Sequence, residues 1–140
     1  MSSIDVVGLR GIHHVGVAVS DLDEAIATYR RKFGAELEHR AALDHEGVEA
    51  AFLRVGEGRV ELLAASKEDS PVGRFLASRG QGMHHIAYEV GDIRAELERL
   101  AAAGADVIDP APRAGLLGLE VAFVHPDAVH GVLTEVVSGG

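Results

Sequence analysis

Two nine-residue stretches of the chain alternate in the same way. Gly11-Ile12-His13-His14-Val15-Gly16-Val17-Ala18-Val19 and Gly82-Met83-His84-His85-Ile86-Ala87-Tyr88-Glu89-Val90 each place apolar residues at every second position. Period-2 alternation with β-branched enrichment predicts strands. Successive strand side chains leave opposite faces, so His14 shares a face with Gly16 and Ala18, and His85 with Ala87 and Glu89. The other faces, Val15-Val17-Val19 and Ile86-Tyr88-Val90, read as core. A histidine on a face otherwise lined by small residues is a candidate ligand at the floor of a cleft. His13 and His84, on the opposite face, read as helix-facing or edge residues.

After each of these strands the hydrophobic period lengthens. Leu22, Ala25, Ile26, Tyr29 and Phe33 mark one helical stripe, with a cap offered by Ser20-Asp21, Asp23 at capping-box spacing, and Gly34 placed to close the helix. Glu36 to Ala42, Val48 to Val55 and Arg59 to Ala64 read as strands, joined by the turns Asp44-His45-Glu46-Gly47 and Gly56-Glu57-Gly58. A polar joint, Ser66 to Ser70, leads to Pro71 at the first position of a linker helix over about residues 71–79. The grammar then repeats. Met83 to Val90 is a strand, Asp92 a cap, Ile93, Leu97, Leu100 and Ala101 a helical stripe, and Gly104 a stop. Ala105 to Ile108 reads as a short strand. The prolines at 110 and 112 bar the loop from Asp109 to Gly118 from a central strand. Glu120 to Val124 and Val132 to Val137 complete the set. Arg94, Glu96, Glu98 and Arg99 read as a solvated helix face.

Spacing makes the repeat quantitative. His14 and His85 stand 71 residues apart, Gly34 and Gly104 stand 70 apart, and Glu61 and Glu135 stand 74 apart. Each glutamate sits among apolar neighbours in the last strand of its half. A period near 70 is too long for a solenoid unit and suits duplication of a small βαβββ module, at about residues 10–65 and 82–138 of a single domain spanning 1–140. Pseudo-twofold packing of the modules would bring His14, Glu61, His85 and Glu135 together. Imidazole and carboxylate donors suit Mn, Co, Ni, Fe or Zn, and open coordination positions would make such an ion a Lewis acid.

Composition narrows the function classes. With 47% hydrophobic residues in 140, the chain can bury a real core. A net charge of −9 and a pI near 5.3 weigh against nucleic acid and anionic membrane surfaces as partners. An anionic ligand would need a local basic patch or a metal. The absence of cysteine excludes disulfides, thiolate metal sites and cysteine nucleophiles. No apolar run approaches the roughly 20 residues of a membrane span, and Met1 to Arg10 lacks a secretory pattern; the expected location is cytoplasmic. His39, His125 and His130 default to surface or loop roles, with His130 close before the Glu135 strand.

The Ile12-to-Val19 strand with Asp21-Leu22 and Phe33-Gly34, Gly82-Met83-His84-His85-Ile86-Ala87, Pro112-Arg113-Ala114-Gly115 with Gly118, His125-Pro126, and Gly131-Val132-Leu133-Thr134-Glu135 together resemble the methylmalonyl-CoA epimerase family. That family belongs to the vicinal oxygen chelate superfamily, alongside glyoxalase I and extradiol dioxygenases. The resemblance runs from about Ile12 to Val137. It implies an α+β fold in which two tandem βαβββ modules pair into a curved, incompletely closed β-barrel-like sheet around a metal cleft, helices outside.

By position, His14, His85 and Glu135 match the family's metal ligands, and Glu61 falls where the family has Gln or Glu near the metal. The implied cofactor is a divalent ion, Co2+ first, with Mn2+, Ni2+ or Zn2+ as alternatives. The implied reaction interconverts the (2R) and (2S) forms of methylmalonyl-CoA by α-proton abstraction and return, with Glu135 moving one proton, in a homodimeric enzyme. Two departures stand out. Where the family carries Glu-Gln-Gly, this chain has His45-Glu46-Gly47, so His45 aligns with the second base and Glu46 with the glutamine; either group can exchange a proton. Asp127 also replaces a common lysine. Lys67, Arg74, Arg79 and Arg113 are candidate phosphate contacts, and Arg113 and His130 candidate substrate contacts. Two rival readings remain: a glyoxalase-type lyase or isomerase of another small acid or thioester, and a non-catalytic small-molecule binding protein. Retention of the metal set speaks against the latter.

Overall fold

The strand-helix-strand-strand-strand grammar occurs twice, and a helix joins the two copies. The computed structural model describes residues 8–139, so the polar leader read at the chain's start lies outside the described residues. The first copy is β1 (Leu9–Ala18), α1 (Leu22–Phe33), β2 (Glu36–Leu43), β3 (Val48–Val55) and β4 (Gly58–Ala65). After α2 (Pro71–Arg79) come β5 (Gly82–Val90), α3 (Ile93–Ala102), β6 (Arg113–Ala114), β7 (Glu120–Val124) and β8 (Thr134–Ser138). The architecture is α+β. Its contacts divide it into two compact units, His14–His84 and Met1–His13 with His85–Gly140. The linker helix therefore goes with the first unit, and the head of β1 goes with the second.

In the His14–His84 unit the strand order is β2-β3-β4-β1, with β1 parallel to β4 and the other pairs antiparallel. Asp21 caps α1 by accepting from the Glu24 amide at 3.0 Å, and Gly34 ends it in the left-handed region at φ 66°. The helix buries Leu22 and Ile26 against Val19, Leu53 and Leu62. The register aligns Gly16 with Glu61 and Glu61 with Phe52, so His14, two residues before Gly16, shares their face.

The second unit orders its strands β5-β8-β7-β6, with β5 parallel to β8. Asp92 caps α3 by accepting from the Ala95 amide at 3.1 Å, and Ile93 and Leu97 pack on Val90, Ala122 and Val136. Ala87 and Phe123 both align with Glu135, which gives His85, Phe123 and Glu135 one face.

Three sequence expectations change. The strand expected over Ala105 to Ile108 shrinks to one bridge, Val107 to Val124. Its place in the sheet is taken by β6, directly after the proline-bearing stretch, because the Asp109 carboxylate captures the Phe123 amide at 2.9 Å in place of a ladder bond. The helix face expected to be solvated is not wholly so. Glu96 is 2% exposed; it accepts from the Gly8 amide at 3.2 Å and pairs with Arg99. At the repeat spacing of 71 its counterpart on α1 is Ala25, so a carboxylate stands where the first helix has a methyl group. Finally, Val19 and Val90 are buried core as expected, but Val15, Val17, Ile86 and Tyr88 are only half-buried, whereas His14, Gly16, Ala18, His85 and Ala87 are buried and Glu89 is exposed. Around the histidines themselves, the histidine faces are the more enclosed ones.

Candidate active site

Each unit builds a small buried cluster around its strand histidine. In the first, the His14 ring is 2% exposed and its Nε2 lies 3.4 Å from Glu61 Oε1. The ring meets Phe52 edge-on at 5.1 Å, and the Arg59 guanidinium sits 5.8 Å from the Phe52 centroid. Arg59 in turn donates from Nε and Nη2 to the two oxygens of Glu38, at 2.6 and 3.1 Å.

The second cluster repeats the arrangement. His85 Nε2 lies 3.7 Å from Glu135 Oε1, and the His85 ring meets Phe123 at 5.5 Å with an interplanar angle of 87°. Arg113 lies 5.5 Å from the Phe123 centroid and reaches Asp109 Oδ2 at 3.2 Å. Both clusters thus read glutamate, histidine, phenylalanine, arginine and a second acid.

The donor chemistry fits a divalent cation. An ionised carboxylate is costly to bury without a partner, and Glu61 and Glu135 are 7% and 6% exposed beside imidazoles that offer lone pairs. Imidazole nitrogen and carboxylate oxygen are donors that first-row divalent ions accept.

The His45-Glu46 turn is a short 3-10 segment, Asp44–Glu46, held from behind. Gly47 closes it at φ 69°, and the Gly47 carbonyl accepts from the Ser66 amide at 2.8 Å and the Lys67 amide at 3.2 Å. A Cβ on Gly47 would lie 2.8 Å from Ser70 Cβ, so both backbone angle and space demand glycine there. The two acid–base candidates touch: His45 Nε2 lies 3.3 Å from Glu46 Oε2. His45 is 60% exposed at its side chain and Glu46 21%, which makes the glutamate the enclosed member.

The remaining candidates separate. His130 is exposed and adopts φ 64° after the 3-10 turn Pro126–Val129, while His125 Nδ1 accepts from the Asp127 amide at 3.1 Å as that turn's cap. His84 faces α2, its ring 5.0 Å from Phe75, and Arg79 lies over the same phenylalanine at 5.6 Å. Sequence reading passed over Phe52, Phe123, Arg59 and Asp109. A signal existed, since Phe52 and Phe123 stand 71 residues apart, the spacing of the two histidines.

Comparison with known proteins sets these clusters in context. Residues 13–123 match the Glyoxalase/Bleomycin resistance protein/Dioxygenase superfamily. An ethylmalonyl-CoA/methylmalonyl-CoA epimerase from Cereibacter sphaeroides is 40% identical over 126 residues, covering 89% of this chain and 94% of that protein. A solved methylmalonyl-CoA epimerase in complex with methylmalonyl-CoA and NH4+ superimposes with a TM-score of 0.92 at 37% identity, over 95% of this chain and 96% of the other. A variant of the Streptomyces coelicolor methylmalonyl-CoA epimerase in complex with 2-nitronate-propionyl-CoA gives the same TM-score, 0.92, at 37% identity, over 95% and 99% of the two chains. Among the described residues, no helix is long and apolar enough to cross a membrane.

Proposed function

The chain belongs to the Glyoxalase/Bleomycin resistance protein/Dioxygenase superfamily, and from that membership we propose that it is an isomerase interconverting the (2R) and (2S) forms of methylmalonyl-CoA. The observation that carries the reading is the buried histidine–glutamate pair repeated at matching places in each half. The epimerases similar to it along most of its length supply the substrate class.

The metal ligands in this reading are His14, His85 and Glu135, all buried, with Glu61 beside His14. Co2+ is the ion the resemblance favours, and Mn2+, Ni2+ and Zn2+ suit the same donors. When bound, the ion supplies Lewis acidity that lowers the cost of an enolate. The protein's own groups do the rest. A Glu135 carboxylate oxygen takes the α-proton from one side of the carbon. Return from the other side falls to the Glu46 carboxylate, the more enclosed of the two turn residues, while exposed His45 exchanges the proton with solvent. The phenylalanine rings against His14 and His85 keep water from the histidines and hold their orientation. We take the working form to be a cytoplasmic homodimer of single-domain subunits, as the family resemblance implies, with an acyl-CoA as its small-molecule substrate.

A second reading, an isomerase or glyoxalase-type lyase on another small acid or thioester, draws on the His45-Glu46 turn that replaces Glu-Gln. One experiment separates them. Metal-loaded protein incubated with methylmalonyl-CoA in deuterated water should introduce deuterium at the α-carbon; uptake no faster than in the metal-free control would reject the epimerase.

A further inference from the structure

The turn that carries His45 and Glu46 is braced by a buried serine further along the chain. This turn, Asp44–Glu46, joins β2 to β3, and β2 is the largely exposed outer strand of its unit, which leaves one flank of the turn thinly supported. The other flank rests on the joint from Ser66 to Ser70. Register sets Val48 opposite Ala65, so the joint begins beside Gly47, whose carbonyl accepts from the Ser66 and Lys67 amides. Ser70 then secures Lys67 from the far side. Its amide, at 3.1 Å, and its hydroxyl, at 2.6 Å, both donate to the Lys67 carbonyl. The same hydroxyl accepts from the Gly73 amide at 3.0 Å and so caps α2. Ser70 is buried, and its Cβ fills the space that a Cβ on Gly47 would need.

The second half has the turn without this packing. At the repeat spacing of 71, Gly118 answers Gly47, while Leu116 and Leu117 answer His45 and Glu46. Gly118 ends the 3-10 segment Leu116–Gly118 at φ 73°, close to the 69° of Gly47. Yet a Cβ on Gly118 would meet no atom of the described residues within 4 Å. Close packing behind the glycine thus accompanies the titratable turn and is not a demand of the module. A group that must reach a carbon from one side tolerates little misplacement, since about 1 Å can cost about 10²-fold in rate, and a loop holds such a group only as well as its support does. Resting on the epimerase reading above, in which Glu46 returns the proton, we infer that Ser70 is a positioning residue of the reaction. It holds Lys67 and the backbone of Gly47 in place, and through them it fixes the turn that aims Glu46.

The test compares metal-loaded wild type with Ser70→Ala, Ser70→Gly and Asp21→Ala, the last removing a helix cap of the same kind from α1 in the same unit. Epimerisation of methylmalonyl-CoA in the serine variants should lose about tenfold to a hundredfold in kcat, with KM within about twofold and a full equivalent of metal retained. Asp21→Ala should keep the wild-type kcat. Hydrogen exchange read by mass spectrometry should speed up about tenfold over residues 44–47 in Ser70→Gly and stay unchanged there in Asp21→Ala. A double-mutant cycle then separates positioning from plain destabilisation. In a Glu46→Ala background, Ser70→Ala should cost nothing further; a loss as large as in wild type would overturn the inference, as would a wild-type kcat in the serine variants or unchanged exchange over the turn. If Ser70→Ala does not fold, Ser70→Gly decides by the same cycle, because glycine caps a helix nearly as well as serine. Active wild type with additive losses sinks this inference alone, whereas wild type that does not epimerise the thioester removes the epimerase reading and this inference with it.

Discussion

The first half of the chain is the more regular of two copies of one design. β2, β3 and β4 are each eight residues long and form an unbroken antiparallel ladder apart from one bulge between Leu37 and His39. In the second half β6 is two residues long, and a side chain, Asp109, takes over one ladder bond. The same contrast runs through the sites, where Arg59 is satisfied by Glu38 and Arg113 buries its Nε without an acceptor among the described residues. Duplication of a module lets one copy keep the ladder and the other trade ladder for adaptable loop, and function concentrates where regular pairing stops.

The comparison is broken most directly at the histidines. His14→Ala and His85→Ala should each weaken metal binding by more than about 100-fold, since even outer-shell partners of metal ligands cost 10- to 100-fold. Elemental analysis after dialysis checks it, and a variant that keeps a full equivalent of metal removes its half from the site. The turn of the first half comes next. Glu46→Ala should slow α-deuterium exchange by about 10²–10⁴-fold, the usual worth of a positioned acid–base group, whereas His45→Ala should cost less than about tenfold. Equal effects of the two, followed by mass spectrometry of the thioester, would show that the exposed histidine shares the proton step.

The smallest effect sharpens the contrast between the helices. Arg99, then the Gly8 amide, hold the Glu96 carboxyl below the ordinary carboxylate range, against the opposing pull of burial. A lowered folded pKa contributes stability above the ordinary carboxylate range, and that contribution is lost as pH falls through the folded value. Glu96→Gln should therefore cost about 1–3 kcal/mol at neutral pH, with wild type and variant converging in acid. Urea unfolding across pH reads this, and parallel curves would reject it. Ala25, at the matching place on α1, carries no titratable group and should confer no such dependence.

Much of this was legible in the alternation of the chain. The strand histidines, the caps at Asp21 and Asp92, and the glycine stops at Gly34 and Gly104 all follow from local rules that act within one turn or one strand. What escaped depends on partners distant in sequence. Glu96 looks solvated on its own helix because the Gly8 amide that buries it comes from 88 residues away. β6 escaped because two residues carry no period, and only the demand of β7 for a partner makes them a strand. Arg59 reads as an ordinary surface cation, and Arg113 only as a candidate ligand contact, until strand register sets each over a ring.

The grouping of the chain's head with its second half also orders events in time. Residues 14–84 contain every contact that defines their own unit, so that unit can close as soon as they have left the ribosome. The Gly8 amide has no such option: its acceptor on Glu96 has yet to be synthesised. Gly8 is thus among the last of the described residues to find its partner, on a helix made after it.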